Sequence, residues 1–181
     1  MQFASRDRER IQDAERFAIP WLLVLLCACA RMGYRVVAIE RGSDKEPLAK
    51  SLGAHLYLDT DGGDVARELR GLGGADAVLG TAPGGAAMGA LIAGLKIRSK
   101  LIVVGVSPDP IPVPSVPIIF GGRTLSGSLV GMPPEIEDTL AFGALHDVRP
   151  VVQTVTLDQA PEAFDSMMKG KARFRFVIKI Q

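Results

Sequence analysis

The stretch that decides the fold is residues 34–59, YRVVAIERGSDKEPLAKSLGAHLYLD. Its first part, residues 34–40, is an apolar, β-branched run that ends in an acid, and residues 55–59 form a second such run. Short runs without polar alternation are typical of strands buried on both faces of a parallel sheet. Residues 45–52 between them have the composition of a short helix. The stretch therefore predicts a strand, a crossover helix and a second, parallel strand.

The same unit recurs along the chain. Strands are predicted at residues 75–81 and 101–106, and helices at residues 65–72 and 86–95. A strand and a helix alternating every 20 to 26 residues or so are typical of a doubly wound parallel sheet. The predicted fold class is α/β.

Residues 107–117 interrupt this pattern because they contain five prolines. We expect a surface connection there, neither a helix nor a central strand. Residues 118–120 and 124–129 are predicted as short exposed strands on either side of a Gly121-Gly122 turn. A helix should follow from Pro133 to about residue 145, with prolines at its start and acids near its positive end.

The last predicted unit is a strand at residues 151–155, a short helix that stops at Gly170, and a final strand at residues 172–180. The helix should turn Phe164, Met167 and Met168 inward. The final strand alternates large apolar residues with mostly charged ones, which predicts one buried and one polar face.

Composition excludes several classes of protein. The chain has 181 residues, of which 48% are hydrophobic and 23% charged, enough for about one folded domain. Lys and Arg number 21 against 20 Asp and Glu, a balance that argues against nucleic-acid binding. Two Cys and two His are too few for a disulfide scaffold or a Cys- and His-rich zinc module.

The N-terminal part divides into two segments. Residues 1–16 mix acids and arginines and read as a charged extension, either a solvated helix or a frayed tail. Residues 17–30 (FAIPWLLVLLCACA) are apolar throughout but too few for an ordinary membrane span. We favour a buried core helix over a membrane anchor or the apolar region of a signal peptide.

One pair of residues lies where such sheets bind ligands. Ligands of doubly wound sheets bind beyond the carboxyl ends of the strands, and Glu40 ends the first predicted strand. Its carboxylate could accept hydrogen bonds from both hydroxyls of an adenosine ribose, with Lys45 reaching the same ribose. The alternative is a surface carboxylate beside a surface lysine. Arg41 complicates a preference for NAD, because a guanidinium can receive the 2′-phosphate of NADP.

Five segments around and after this pair follow one another in the order and spacing of zinc-type alcohol dehydrogenases. They are ERGSDKEPLAKSLGAH (40–55), GGADAVLGTA (73–82), KLIVVGV (100–106), GSLVG (127–131) and QAPEAFDSMMKGKARFRFVI (159–178). From residue 32 to residue 181, the chain resembles the C-terminal, NAD(P)-binding part of this medium-chain dehydrogenase family. The resemblance implies a Rossmann domain over residues 17–149 and, over residues 150–181, a segment that returns to the catalytic domain.

The resemblance also implies roles for eight residues at the cofactor. Glu40 and Lys45 match the acid and lysine that bind the ribose, and Thr81 lies where a strand passes the adenosine. Gly105 and Val106 match positions near the nicotinamide, Ser128 and Val130 match positions whose backbone bonds its carboxamide, and Arg175 matches an arginine that contacts the pyrophosphate. Without the resemblance, Val106 and Ser128 would be buried strand ends and Arg175 an ordinary solvated arginine.

The chain departs from the family in two respects. The family's catalytic domain, with its zinc ligands, has no counterpart here, and no glycine-rich GxGxxG turn precedes the stretch at residue 34. Those glycines let the backbone approach the pyrophosphate, so we expect weak binding of NAD, with NADP as the alternative, and no bound zinc. The Rossmann sheet is expected to be N-terminally truncated.

The predicted function is therefore the cofactor-binding half of an oxidoreductase that converts alcohols and NAD(P)+ to aldehydes or ketones, not catalytic alone. The alternatives are a non-catalytic dimerisation or interaction module and a gene fragment of that family. We expect a cytoplasmic protein that forms a homodimer, or a heterodimer with a full-length homologue, and that binds neither nucleic acid nor a membrane.

Overall fold

The computed structural model describes residues 19–81, 84–106, 108–129, 131–169 and 175–180. The helices are α1 (Ile19–Arg31), α2 (Glu46–Ser51), α3 (Val65–Gly71), α4 (Gly85–Leu91), α5 (Ser115–Gly121), α6 (Pro133–His146) and α7 (Ala160–Met168). The strands are β1 (Val37–Glu40), β2 (Leu56–Asp59), β3 (Ala75–Gly80), β4 (Leu95–Val103), β5 (Thr124–Gly127), β6 (Val152–Thr156) and β7 (Arg175–Lys179). Short 3-10 turns cover Ser43–Lys45, Thr60–Gly62, Ile92–Gly94 and Leu157–Gln159. The predicted charged extension at residues 1–16 lies outside the described residues.

The strands pair in parallel throughout, as the α/β prediction requires. They form three groups, in the orders β1-β2, β3-β4-β5 and β6-β7. In a doubly wound sheet ordered 3-2-1-4-5-6, the first two groups correspond to strands 2 and 3 and to strands 4, 5 and 6. Among the described residues no strand joins β1 to β3, so the expected single sheet is divided at that position.

Apolar packing through α3 connects the first two groups. Leu69 of α3 is buried together with Leu58 of β2, and Ala75 of β3 and Leu91 of α4 pack against the same cluster. A second cluster lies between α1 and β1, where Leu26 is buried with Ala38. The core is therefore a helix layer packed on short parallel strands.

Helix α1 is the core helix predicted for residues 17–30, although its bounds are Ile19–Arg31. Leu26 is 5% exposed, and Cys29 and Ala30 pack against the β1 cluster. In the described part of the chain, no helix is both long and apolar enough to cross a membrane.

The prediction for residues 107–120 was wrong in its details. Residues 108–114 form the expected connection, but helix α5 begins at Ser115, and residues 118–120 lie in it instead of in a strand. Pro117 is tolerated because the first N–H groups of a helix have no intrahelical partner. Gly122 ends this helix in the left-handed conformation, with φ 53°. The strand predicted at residues 124–129 forms as the shorter β5, Thr124–Gly127, which pairs in parallel with β4.

Strand β4 also differs from its prediction, since it begins at Leu95 and ends at Val103. The helix predicted to reach residue 95 stops at Leu91 and continues as a 3-10 turn. The β3–β4 register shifts between Ala75 and Ala77, and Arg98 lies in the shifted segment with a positive φ of 60°. The first part of β4 is therefore irregularly paired with β3, and regular pairing begins at Lys100.

The C-terminal unit has the predicted strand–helix–strand order but not the predicted burial. Phe164, expected inward, is 57% exposed, whereas Ala163 is buried. Ile178 and Ile180 of the final strand are exposed on the face expected to be buried. The physical reason is size, because two strands and one short helix offer too little surface to cover both sets of side chains. Gly170 and residues 172–174 lie outside the described residues.

Two glycines let the connection after β4 lie directly on α4. A Cβ added at Gly85 would come within 2.5 Å of the Pro110 carbonyl oxygen. One added at Gly89 would overlap the Pro112 carbonyl oxygen. Only glycine fits these contacts without moving backbone, so the two residues fix the path of residues 108–114.

Replacing Gly89 by Ala should destabilise the fold by about 1 to 3 kcal/mol, because the new methyl group must displace backbone of the connection. Gly71 is the matched control, since it is also helical but a Cβ there would meet nothing within 4 Å. Gly71→Ala should stabilise by about 0.5 to 1 kcal/mol through helix propensity. Urea denaturation midpoints measure both changes, and a stabilising Gly89→Ala would contradict the packing.

Candidate functional site

The carboxyl end of β1 brings Glu40 and Lys45 together. The Glu40 Oε1 atom lies 3.4 Å from Lys45 Nζ, and the two side chains are 27% and 35% exposed. The same Oε1 accepts a hydrogen bond from the backbone N–H of Arg41 at 2.9 Å. Among the described residues, nothing donates to Glu40 Oε2. The protein therefore fixes one carboxylate oxygen, and the Glu40 side chain as a whole stays partly exposed.

The turn after Glu40 is held by two side chains of β2. The Asp59 carboxylate accepts from the Gly42 backbone N–H at 2.8 Å, and the Tyr57 hydroxyl donates to the Gly42 carbonyl at 2.6 Å. Gly42 has a φ of 83°, and a Cβ there would lie 2.6 Å from an Asp44 carboxylate oxygen. The positive φ therefore favours glycine, whereas the close Asp44 oxygen ends a flexible side chain and could move aside.

Several acids surround this turn. The parallel register pairs Glu40 with Asp59. Burial and then the charges of four carboxylates, Glu40, Asp59, Asp44 and Glu46, raise the pKa of Tyr57 to about 12. Arg41 lies 3.5 Å from Asp61, with both side chains largely exposed. The turn is consequently an acidic environment in which each nearby cation already has an acidic partner.

The other predicted site residues that the structure describes lie at or after the ends of strands. Thr81 follows β3, and Gly105 donates its N–H to the Gly80 carbonyl at 2.9 Å after β4 ends. Val106 is 86% exposed instead of buried. Ser128 follows β5 and donates its N–H to the Val103 carbonyl at 3.0 Å.

Two of the predicted residues cannot be placed at this edge. Val130 lies outside the described residues. Arg175 begins β7 and pairs in register with Val152 of β6, in a strand group separate from β1 and β2. Its predicted role at the pyrophosphate stays a prediction.

A pyrophosphate cradle is not found in the described residues. Helix α1 would have to provide it, but from residue 19 to residue 32 the sequence has no glycine, and Pro20 in the first turn lacks an N–H. A dinucleotide site needs backbone N–H groups that approach the phosphates closely. The residues present therefore fit the adenosine ribose of a nicotinamide cofactor, but not its pyrophosphate.

The residues that could bind zinc are committed elsewhere. His55 Nδ1 accepts a hydrogen bond from the Val36 N–H at 3.1 Å, and the His146 ring packs on Phe142 at 4.4 Å between centroids. Burial raises the pKa of the Cys29 thiol, which disfavours the thiolate that binds metal. In the described ranges no three His, Cys, Asp or Glu side chains form a metal group. The donor set does not fit the family's zinc.

Sequence reasoning missed Tyr57 and Asp59. The signal for Asp59 was present, since it ends β2 just as Glu40 ends β1. The signal for Tyr57 is its position two residues earlier, because alternate residues of a strand share a face. Neither position indicated a contact with Gly42, because that contact depends on how β1 and β2 are aligned.

Comparison with known proteins gives the family. Residues 22–144 match the zinc-binding dehydrogenase family. The chain is 40% identical over 148 residues to alcohol dehydrogenase notN of Aspergillus sp. (strain MF297-2), covering 82% of this chain and 43% of that protein. It is 33% identical over 147 residues to NADP-dependent alcohol dehydrogenase C 1 of Mycolicibacterium smegmatis, covering 81% and 42%. The chain thus spans about two fifths of the length of these relatives.

Solved structures support the same fold. Benzyl alcohol dehydrogenase from Acinetobacter calcoaceticus superposes with a TM-score of 0.77 at 22% identity, over 88% of this chain and 46% of that one. The alcohol dehydrogenase zinc-binding domain protein from Burkholderia ambifaria gives 0.76 at 20% identity, over 94% and 53%. The fold is that of the nucleotide-binding part of these enzymes, and the chain belongs to the zinc-binding dehydrogenase family.

The acidic environment of Tyr57 can be measured directly. The chain has two tyrosines, so in a Tyr34→Phe variant the phenol absorbance near 295 nm reports Tyr57 alone. We expect it to titrate at about 12. Adding Glu40→Gln should lower that pKa, because a neighbouring negative charge is lost, whereas adding Asp76→Asn, which is not among its charged neighbours, should not.

The same shift predicts how stability depends on pH. The folded state holds the phenolic proton more tightly than the unfolded chain, whose tyrosines titrate at about 10. This contribution to the free energy of unfolding is therefore complete below pH 10 and is lost as the pH rises toward 12. Replacing Tyr57 by Phe should flatten that part of the stability profile.

Proposed function

We propose that this chain binds the adenosine half of a nicotinamide cofactor at the carboxyl end of β1, as the cofactor-binding part of an alcohol dehydrogenase. The observation that carries the proposal is the Glu40–Lys45 pair, since it presents one free carboxylate oxygen and an ammonium group beside each other. A ribose diol donates to the first and accepts from the second. The family to which the chain belongs supports the same assignment.

The charges around the turn favour NAD(H) over NADP(H). A 2′-phosphate would be brought toward Glu40 and into the field of the three further carboxylates that raise the pKa of Tyr57. Lys45 is paired with Glu40, and Arg41 lies within ion-pair distance of Asp61, which reduces the attraction that either offers to a phosphate. An Arg41 side chain released from Asp61 would instead attract the 2′-phosphate of NADP(H). The mycobacterial relative is named as NADP-dependent, so both cofactors are compared in the binding test.

In such an enzyme the nicotinamide accepts or donates hydride. The part of this chain that the proposal assigns is binding and orientation, because Glu40 and Lys45 would fix the adenosine end of the cofactor. In the described residues no three His, Cys, Asp or Glu side chains form a group that could hold a metal ion for the alcohol oxygen. We therefore infer that oxidation of an alcohol to an aldehyde or ketone requires protein elements beyond those described.

Replacing Glu40 by Ala tests the proposed role. The variant should bind NADH about tenfold to a hundredfold more weakly, since a hydrogen bond to a charged group contributes about 1.5 to 3 kcal/mol, while NADPH binding changes less. Quenching or enhancement of the nicotinamide fluorescence gives both dissociation constants. Asp76→Ala is the control, since Asp76 pairs with Lys96 of β4 and is not among the carboxylates that act on Tyr57. An unchanged NADH-to-NADPH ratio in Glu40→Ala would show that Glu40 is only a surface charge.

A second candidate function is an interaction module that pairs with another copy or with a full-length homologue. The observation that favours it is the exposed apolar surface around the edge strand β5, where Phe120 is 82% and Leu129 is 95% exposed. An uncovered strand edge beside apolar side chains is prone to pair with another chain. Twofold pairing of this edge would give a homodimer.

Sedimentation velocity at tens of micromolar tests the homodimer. We expect a dimer for the wild-type chain and a shift toward monomer in Phe120→Asp, because the new charge would be buried at the interface. Ile180→Asp is the matched control, since Ile180 is equally exposed but belongs to the β6–β7 unit. A wild-type monomer would argue against self-association.

The chain by itself should bind no stoichiometric zinc and oxidise no alcohol. The reason is chemical: the family's catalytic zinc takes three protein ligands and an open position, and in the described residues no three His, Cys, Asp or Glu side chains form such a group. Elemental analysis and an NAD+ reduction assay with primary and secondary alcohols measure both properties. One zinc per chain together with turnover would contradict the prediction, and activity that arises only on mixing with a full-length relative would support the partner hypothesis.

A further inference from the structure

We propose that Tyr57 and Asp59 are positioning residues, which fix the Arg41–Gly42 turn and through it hold Glu40 and Lys45 ready for a ribose. The inference rests on the proposed nucleotide site and extends it by two residues on the neighbouring strand. Neither side chain is assigned to contact the ligand. Each acts through backbone groups of the turn.

The first step of the argument is that β2 holds both backbone groups of Gly42. The Asp59 carboxylate accepts from its N–H at 2.8 Å, and the Tyr57 hydroxyl donates to its carbonyl at 2.6 Å. The two side chains reach the same glycine because they lie two residues apart on one strand and therefore share a face. A left-handed glycine would otherwise be among the most mobile points of the loop.

The second step is that the backbone of Arg41, the residue before Gly42, bonds both site residues. The Arg41 N–H donates to Glu40 Oε1 at 2.9 Å, and the Arg41 carbonyl accepts from Lys45 Nζ at 2.9 Å. The direction of the Glu40 carboxylate and of the Lys45 ammonium thus depends on where the Arg41 backbone points. That backbone is fixed in turn by the bonds to Gly42.

The third step is that Asp59 joins the loops after both strands. Besides the Gly42 N–H, the same Oδ1 atom accepts the Asp61 N–H at 3.0 Å, which caps the 3-10 turn Thr60–Gly62. Asp61 is the residue that lies 3.5 Å from Arg41. The Asp59 Oδ1 atom therefore links the turn after β1, which follows Glu40, to the turn after β2, which contains Asp61.

The test measures binding of ADP-ribose, which contains the adenosine half of the cofactor without the nicotinamide, by isothermal titration calorimetry to the full chain. Tyr57→Phe and Asp59→Ala should each weaken binding by about threefold to tenfold, the loss expected for one positioning hydrogen bond. Asp59→Asn keeps an acceptor oxygen and should restore most of the affinity. Tyr34→Phe, at the exposed start of the same strand–helix–strand unit, should have no effect.

A double-mutant cycle separates positioning from general damage. If Tyr57 acts through Glu40, then Tyr57→Phe should cost little further affinity in a Glu40→Gln background. A full, additive loss in that background, or wild-type affinity for both Tyr57→Phe and Asp59→Ala, would overturn the inference while leaving the nucleotide site intact. Failure of the wild-type chain to bind ADP-ribose would instead overturn the proposed function, and the inference with it. Melting temperatures of all variants identify any that lose affinity by unfolding.

Discussion

The parallel pairing of β1 with β2 is the constraint on which the candidate site depends. In-register pairing puts Glu40 opposite Asp59, so the strands end together and their acids stand side by side. Two like charges at one edge are unfavourable unless other groups compensate for them. Here Lys45 pairs with one acid and backbone N–H groups bond the other. This ion pair and these hydrogen bonds fix the shape of the turn that follows Glu40.

This arrangement links local structure to ligand chemistry. The Gly42 turn needs a left-handed residue, and its two backbone groups need partners that only the adjacent strand can offer. Satisfying them fixes the turn that follows Glu40, whose carboxylate is partly exposed beside Lys45. Four carboxylates lie around this turn, and after burial their charges contribute to the raised pKa of Tyr57. Such an environment suits a neutral ribose diol better than a phosphate, which is the physical basis of the proposed preference for NAD(H).

The rest of the described chain supports this edge without completing a dehydrogenase. Helix α3 joins the strand pair β1-β2 to β3-β4-β5 by apolar packing, because no described strand joins them by hydrogen bonds. The β6-β7 unit is paired within itself and leaves large apolar side chains exposed. Exposed surfaces of this kind are typical of elements that pack against another domain or chain.

The sequence by itself determined the α/β class, the family and most helices and strands, because apolar periodicity and turn residues act over a few neighbouring positions. It also identified Glu40 and Lys45, whose pairing needs only the end of one strand and the start of the next helix. It could not locate Tyr57 and Asp59 in the site, the exposure of Phe164, or the helix at Ser115–Gly121. Those features depend on register and on what covers each face, and both are decided by contacts between residues distant in the chain. Only the tertiary structure could supply them.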